Sequence, residues 1–114
     1  MTYRKYGNRK TVVGGKEFDS RAEARRYKEL KLMESAGEIK ALELQPEFLL
    51  QDKFRYMGKT ERAVKYIADF KYFDVEKGVY VVEDVKGVET EVFKIKRKLF
   101  LKKYGSEYDF KIVR

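Results

Sequence analysis

Apolar residues change period several times along the chain, and each change marks an element. From about Ser20 to Ala36 they recur at helical spacing. At 100° per residue Glu23, Tyr27 and Leu30 fall on one side with Met33 nearby, and Gly37 supplies a C-terminal stop. The charged Glu23 therefore shares the face that looks toward the core. Ahead of this helix, Thr11-Val12-Val13, Gly14-Gly15 and Lys16-Glu17-Phe18 predict a short hairpin.

From Ile39 onward the period is two. Ile39–Leu44 and Glu47–Leu50 are short strands on either side of the only proline, Pro46, and the polar stretch Gln51–Glu61 reads as a loop or a loose hairpin tip. Arg62–Phe73 is the clearest strand. Val64, Tyr66, Ala68, Phe70 and Tyr72 make one apolar face, and Lys65, Ile67, Asp69 and Lys71 the other. Asp74–Gly78 turns the chain into a strand over Val79–Lys86, ended by Gly87. A second helix is predicted over about Glu91–Tyr104, with Thr90 as N-cap and Gly105 as stop. Its spacing directs Val92, Ile95, Leu99 and Phe100 toward the core and Lys94, Arg97 and Lys98 outward. Tyr108, Phe110 and Ile112 alternate in a final strand. The whole of 1–114 reads as one α+β domain, preceded by a basic arm over residues 1–10.

Charge narrows the partner. The chain of 114 residues is 40% charged, with 27 Lys and Arg against 19 Asp and Glu, a net charge of +8. A field of this sign concentrates a polyanion, and nucleic acid fits better than a membrane. No apolar run approaches the ~18 residues of a membrane span, and no signal segment is expected at the start. The absent residues narrow the chemistry. With no cysteine and no histidine, thiolate zinc sites, His-based triads and the usual neutral-pH base are all excluded. Carboxylates, lysine, hydroxyls and a hard cation such as Mg²⁺ are left.

Asp69 and Asp84 are the acids to consider first. They lie on strands joined by the Asp74–Gly78 turn. A two-residue loop at Glu76-Lys77 sets Asp69 opposite Asp84, one at Lys77-Gly78 sets it opposite Lys86, and a three-residue loop shifts the register by one. Alternation puts Asp84 and Lys86 on one face and Glu83 on the other, so Asp84 is the acidic partner and Glu83 an exposed or structural carboxylate. Two opposed carboxylates repel unless a cation lies between them. The plainer reading is that Asp69 pairs with a neighbouring lysine and Asp84 ends a strand; against it, Asp69 interrupts the strongest strand, where Asp is disfavoured. Glu23 has two readings as well: a capping box with Ser20, or a third acid reaching the same place from the helix. The cations Lys94, Lys96, Arg97, Lys98 and Lys102 of the second helix are either a solvated face or a phosphate-binding surface. Arg4, Lys5, Arg9 and Lys10, interleaved with Tyr3 and Tyr6, present the same choice.

Helix-borne Glu23, then Ile67-Ala68-Asp69-Phe70, then Val82-Glu83-Asp84-Val85-Lys86-Gly87, then a helix, is an order that resembles the PD-(D/E)XK nuclease superfamily. More closely, the chain from about Lys5 to Val113 is similar to a group of small phage and prophage proteins, through Lys5-Tyr6-Gly7-Asn8, Phe18-Asp19-Ser20, Glu23-Ala24, Leu44-Gln45-Pro46 and Val82–Gly87. Ala68 stands where the superfamily's name has proline, and Asp84 where many members have Glu.

The resemblance implies a restriction-endonuclease-like domain. Its αβββαβ core would be a mixed, mainly antiparallel sheet flanked by helices, here with an added N-terminal hairpin. It implies a Mg²⁺- or Mn²⁺-dependent DNA endonuclease, in the host cytoplasm if phage-encoded, acting on duplex, branched or recombining DNA. Asp69, Asp84, Glu23 and the Val85 carbonyl would hold the metal and Lys86 would act on the water or the phosphate. A homodimer would let so small a chain cut both strands. The competing expectation is a non-catalytic module of the double-stranded RNA-binding type. That order, α-β-β-β-α, explains the basic helix but gives the acids no role.

Overall fold

The computed structural model describes residues 10–114. Arg4, Lys5 and Arg9 of the expected arm, and the Lys5–Asn8 segment, lie outside the described residues. Lys10 is exposed and pairs with Glu17 at 3.0 Å. The first hairpin is as predicted: β1 (Thr11–Val13) pairs with β2 (Lys16–Phe18) across two glycines whose φ values of 57° and 78° lie in the left-handed region that favours glycine. The helix α1 (Arg21–Ser35) begins at Ser20, whose hydroxyl accepts from the Glu23 amide at 3.1 Å. It buries Glu23, Ala24, Tyr27 and Leu30.

The next six strands form one long antiparallel ribbon. Going out are β3 (Ile39–Leu44), β4 (Glu47–Gln51) and β5 (Phe54–Tyr56); returning are β6 (Lys59–Glu61), β7 (Val64–Ile67) and β8 (Phe70–Asp74). Leu44 faces Phe70, Glu47 faces Ile67 and Phe54 faces Glu61. Between the inner and middle stretches, Gln45-Pro46 stands opposite Ala68-Asp69. The Gln45 amide donates to the Asp69 carbonyl at 2.9 Å, and the Ala68 amide to the Pro46 carbonyl at 3.1 Å. Gln45 is left-handed (φ 50°) and Pro46 has no N–H to give, so the ladder bends here while keeping its register.

The single strand expected over Arg62–Phe73 is therefore two strands, with Asp69 at the bend. A bend that preserves alternation leaves the period of two unbroken, which is why the sequence reads straight through it. The expected single apolar face also divides. Phe70 and Tyr72 pack with Phe18, Tyr27, Leu30 and Val81 against α1, whereas Tyr66 and Ala68 pack with Phe48 and Val82.

The chain continues through β9 (Val79–Val85), α2 (Glu91–Tyr104) and β10 (Tyr108–Val113). The central sheet has the order β10-β9-β8-β3. Its β9–β10 pair is parallel, with α2 as the crossover, and its other pairs are antiparallel. Val81 and Val82, adjacent on β9, point into the two different cores, so α1 and α2 cover opposite faces. The fold is α+β. No described helix is long and apolar enough to cross a membrane.

The orientation of α2 departs from its expected one. Phe93 and Phe100 are buried, while Val92, Ile95 and Leu99 are 63%, 59% and 45% exposed, and Arg97 is turned partly inward. Two stripes of α2 compete for the core and the aromatic one wins. Phe100 lies 4.8 Å from Phe48 and 5.4 Å from Tyr66, ring centre to ring centre, contacts that three aliphatic side chains cannot match in area.

Candidate active site

Asp69, Asp84, Lys86 and Glu23 are brought to one end of the central sheet, where the ribbon bends. The β8–β9 register pairs Phe70 with Glu83, which is the register of the first hairpin alternative and puts Asp69 level with Asp84. The loop is longer than that alternative assumed, with Val75–Gly78 between Asp74 and Val79, but the register is the same.

At the bend the Asp69 backbone slips. Its amide donates to the Glu83 carbonyl at 3.0 Å, and its carboxylate then takes over the ladder by accepting the Val85 amide at 2.6 Å. The Asp69 carboxylate is thus fixed beside Asp84 by a backbone bond. Glu23 and Asp69 line one cleft of about 210 Å³, together with Lys16, Leu44 and Gln45.

Alternation along β9 separates its two acids as predicted. Glu83 points toward α1, fully buried, where it accepts two bonds from the Arg26 guanidinium, at 2.8 and 2.7 Å, and one from the Tyr72 hydroxyl. It is structural, and not exposed. Asp84 points to the other face and is also buried. One oxygen, Oδ2, accepts from the Tyr66 hydroxyl. The other, Oδ1, has the Lys86 ammonium 3.1 Å away but no hydrogen bond of good geometry among the described residues. Lys86 itself is held by its backbone, its amide donating to the Val113 carbonyl at 2.9 Å, and by the Phe93 ring 4.6 Å from its ammonium.

These acids perturb one another. Burial pushes the Asp69 carboxyl up to about 7, against the pull of the Val85 amide, and the charges of Asp84 and Glu23 add to the rise. Glu23 is raised by burial, then by Asp19 and Asp84, with Lys86 opposing. Burial and the Asp84 carboxylate raise Tyr66, so that its hydroxyl remains a donor. The Ser20–Glu23 capping box is half made. Ser20 caps α1, but the Glu23 carboxylate accepts no return bond from the Ser20 amide among the described residues.

The residues fit a hard cation in part. Among the described residues no three acids converge at ligand spacing. Two carboxylates suffice for Mg²⁺, which keeps most of its waters. The unbonded Asp84 Oδ1 beside a carboxylate raised by its neighbours is the donor set such an ion would satisfy. The Val85 amide donates to the Asp69 carboxylate, so Val85 meets the site through its backbone N–H.

The cations sort unevenly. Lys98 and Lys102 are exposed on the outer side of α2. Lys94 pairs with Glu91 at 3.4 Å, and Lys96 is half-buried. Arg97 is held by Glu89 at 2.7 Å and stacks over Phe93, so its charge is committed within the protein. Sequence reasoning missed Tyr66, which it assigned to the core alone, and Lys16, which overhangs the cleft from β2. For Tyr66 there was a signal: a tyrosine in a core stripe needs a partner for its hydroxyl. For Lys16 there was none.

A protein-family profile described as "Protein of unknown function (DUF1064)" matches residues 3–114. The chain belongs to the DUF1064 family. The match spans both helices, the bent ribbon and every acid of the site in this DUF1064 member. Among curated proteins and solved structures nothing matches the chain.

Proposed function

We propose that this DUF1064 protein is a metal-dependent DNA endonuclease of the PD-(D/E)XK kind, built on a restriction-endonuclease-like domain. The observation that carries the reading is the pairing of Asp69 with buried Asp84 at the end of β9. Among the described residues Asp84 Oδ1 has no hydrogen bond there, and Lys86 stands 3.1 Å from it. Burying acids side by side is costly, and a site that hydrolyses phosphodiesters supplies a reason for it. The α1-β3-β8-β9-α2-β10 order of the sheet and its helices supports the same reading. The parallel strand β10 has no place in an α-β-β-β-α RNA-binding module.

Asp69 and Asp84 would hold Mg²⁺ or Mn²⁺, with Glu23 facing the same cleft. The ion supplies positive charge that lowers the pKa of water and polarises a phosphate oxygen. Tyr66 and the Val85 amide fix the two carboxylates, so little reorganisation is needed on binding. Lys86, pinned by Phe93 and the β10 backbone, directs its ammonium at the attacking water or at the charge that develops on the phosphate. Exposed Lys98 and Lys102 hold the backbone without reading sequence.

The test is Asp84→Asn. It keeps the acceptor for Tyr66 but removes the charge. Mg²⁺-dependent nicking of supercoiled plasmid is expected to fall to background, with DNA affinity in EDTA unchanged or higher. Wild-type cleavage by this variant, or wild-type cleavage that EDTA leaves intact, would sink the assignment.

A further inference from the structure

The outer end of the ribbon is built differently from the rest. All six paired residues of β5 and β6 are exposed, and among the described elements each of the two strands packs chiefly on the other. An isolated two-stranded hairpin is marginal in water, so its shape needs internal support. Arg55 supplies it, donating across the turn to the Gly58 carbonyl at 2.7 Å.

The turn residues Met57 (φ 49°) and Gly58 (φ 78°) have the left-handed backbone that tight hairpins require. Asn or Asp is the ordinary choice at the first of these positions. A methionine there is conformationally unfavourable, and it is 88% exposed beside a Tyr56 that is 65% exposed. Apolar groups held in water at a strained tip point to a partner that covers them.

Charge identifies the partner. Phe54, Tyr56, Lys59 and Glu61 lie on one face of the ribbon, where the two charges offset, and Arg55 and Thr60 lie on the other. Continuing the register by one residue sets Lys53 opposite Arg62, on the Arg55 face. That face carries three cations and no acid, and neither Lys53 nor Arg62 has an ion-pair partner among the described residues.

We propose that the β5–β6 ribbon enters the major groove of double-stranded DNA tip first. Tyr56 and Met57 meet base edges, and Lys53 and Arg62, set back at the base of the ribbon, meet phosphates on the rim. Two strands with their side chains are about 10 Å across, and the groove is about 12 Å wide. The narrow major groove of A-form RNA would not admit them. The inference rests on the nucleic-acid reading above and adds to it a second contact, away from the acids.

The experiment is fluorescence-anisotropy titration of a labelled mixed-sequence duplex in EDTA, from 50 to 200 mM salt, with the full chain. The double variant Lys53→Ala/Arg62→Ala should bind about tenfold more weakly, and its slope of log affinity against log salt should be shallower by about 2. Tyr56→Ser/Met57→Ser should weaken binding at an unchanged slope. Both should melt as the wild type does, because these side chains touch no core.

Unchanged affinity in both variants overturns the proposal. So does an equal loss on duplex RNA, which would leave general electrostatics. A Tyr56→Ser/Met57→Ser protein that sediments at a different mass yet binds DNA normally also overturns it, because the tip would then be covered by a second copy. Loss of binding in these variants by a protein that never cleaves DNA removes the nuclease reading and keeps the ribbon. A wild type that binds no duplex overturns the ribbon proposal, and plasmid nicking with Mg²⁺ then decides the nuclease reading separately.

Discussion

At the scale of residues, the sequence specified the relation between Asp84, Lys86 and Glu83, because alternation on a strand is a local rule that β9 obeys. It also placed Glu23 on the inner face of α1. What it could not show is how Asp69 is held. The bend that turns this residue out of its ladder depends on Gln45 and Pro46, on the partner strand more than twenty positions earlier. The raised carboxyl of Asp69 has a measurable consequence. An unfolded Asp ionises near pH 4, while the folded one stays protonated to about 7. Between those values the folded chain binds the extra proton, so the metal-free protein loses stability as pH rises through the window. The loss is on the order of 2–4 kcal/mol, shared with Glu23, whose carboxyl is raised as well. Glu34 and Glu89 are lowered by their ion pairs, so the stability they add is gained as pH rises to the ordinary glutamate range and changes little between pH 5 and pH 8. Thermal melts in EDTA at pH 5 and pH 8 should show the lower Tm at pH 8, and Asp69→Asn should remove most of the difference. A wild-type Tm that climbs between these pH values would mean that Asp69 is already ionised at pH 5.

At the scale of elements, caps and stops were legible because they act within a turn of the residue that makes them. Ser20, Gly37 and Thr90 each do what their positions imply. The rotation of α2 about its axis was not legible, since both of its stripes have helical spacing and only the surroundings choose between them. Phe48, Tyr66, Tyr108 and Phe110 make the choice by offering an aromatic wall. Phe100→Ala should therefore cost about 3–5 kcal/mol, and Ile95→Ala should stay within about 0.5 kcal/mol of wild type, both read from urea unfolding. The opposite ranking would restore the aliphatic face to the core.

At the scale of the whole molecule, the α+β class followed from the order of periods, whereas the division of the ribbon into a buried inner part and a free outer part did not. Polar residues at Gln51–Glu61 describe an exposed hairpin and a loop equally well. Stability should follow that division. Hydrogen exchange should proceed fastest at the amides of Phe54–Glu61 and slowest in the β8–β9 ladder, with protection at Asp69–Asp74 and Val79–Val85 close to that of global unfolding. Uniform protection along the ribbon would contradict this. The position of β9 between β8 and its parallel neighbour also bears on how the chain folds. The β8–β9 hairpin closes locally, whereas β10 reaches the second edge of β9 only through the α2 crossover. Until β10 docks, the strand with Asp84 has an open edge, and an open edge invites pairing with another copy.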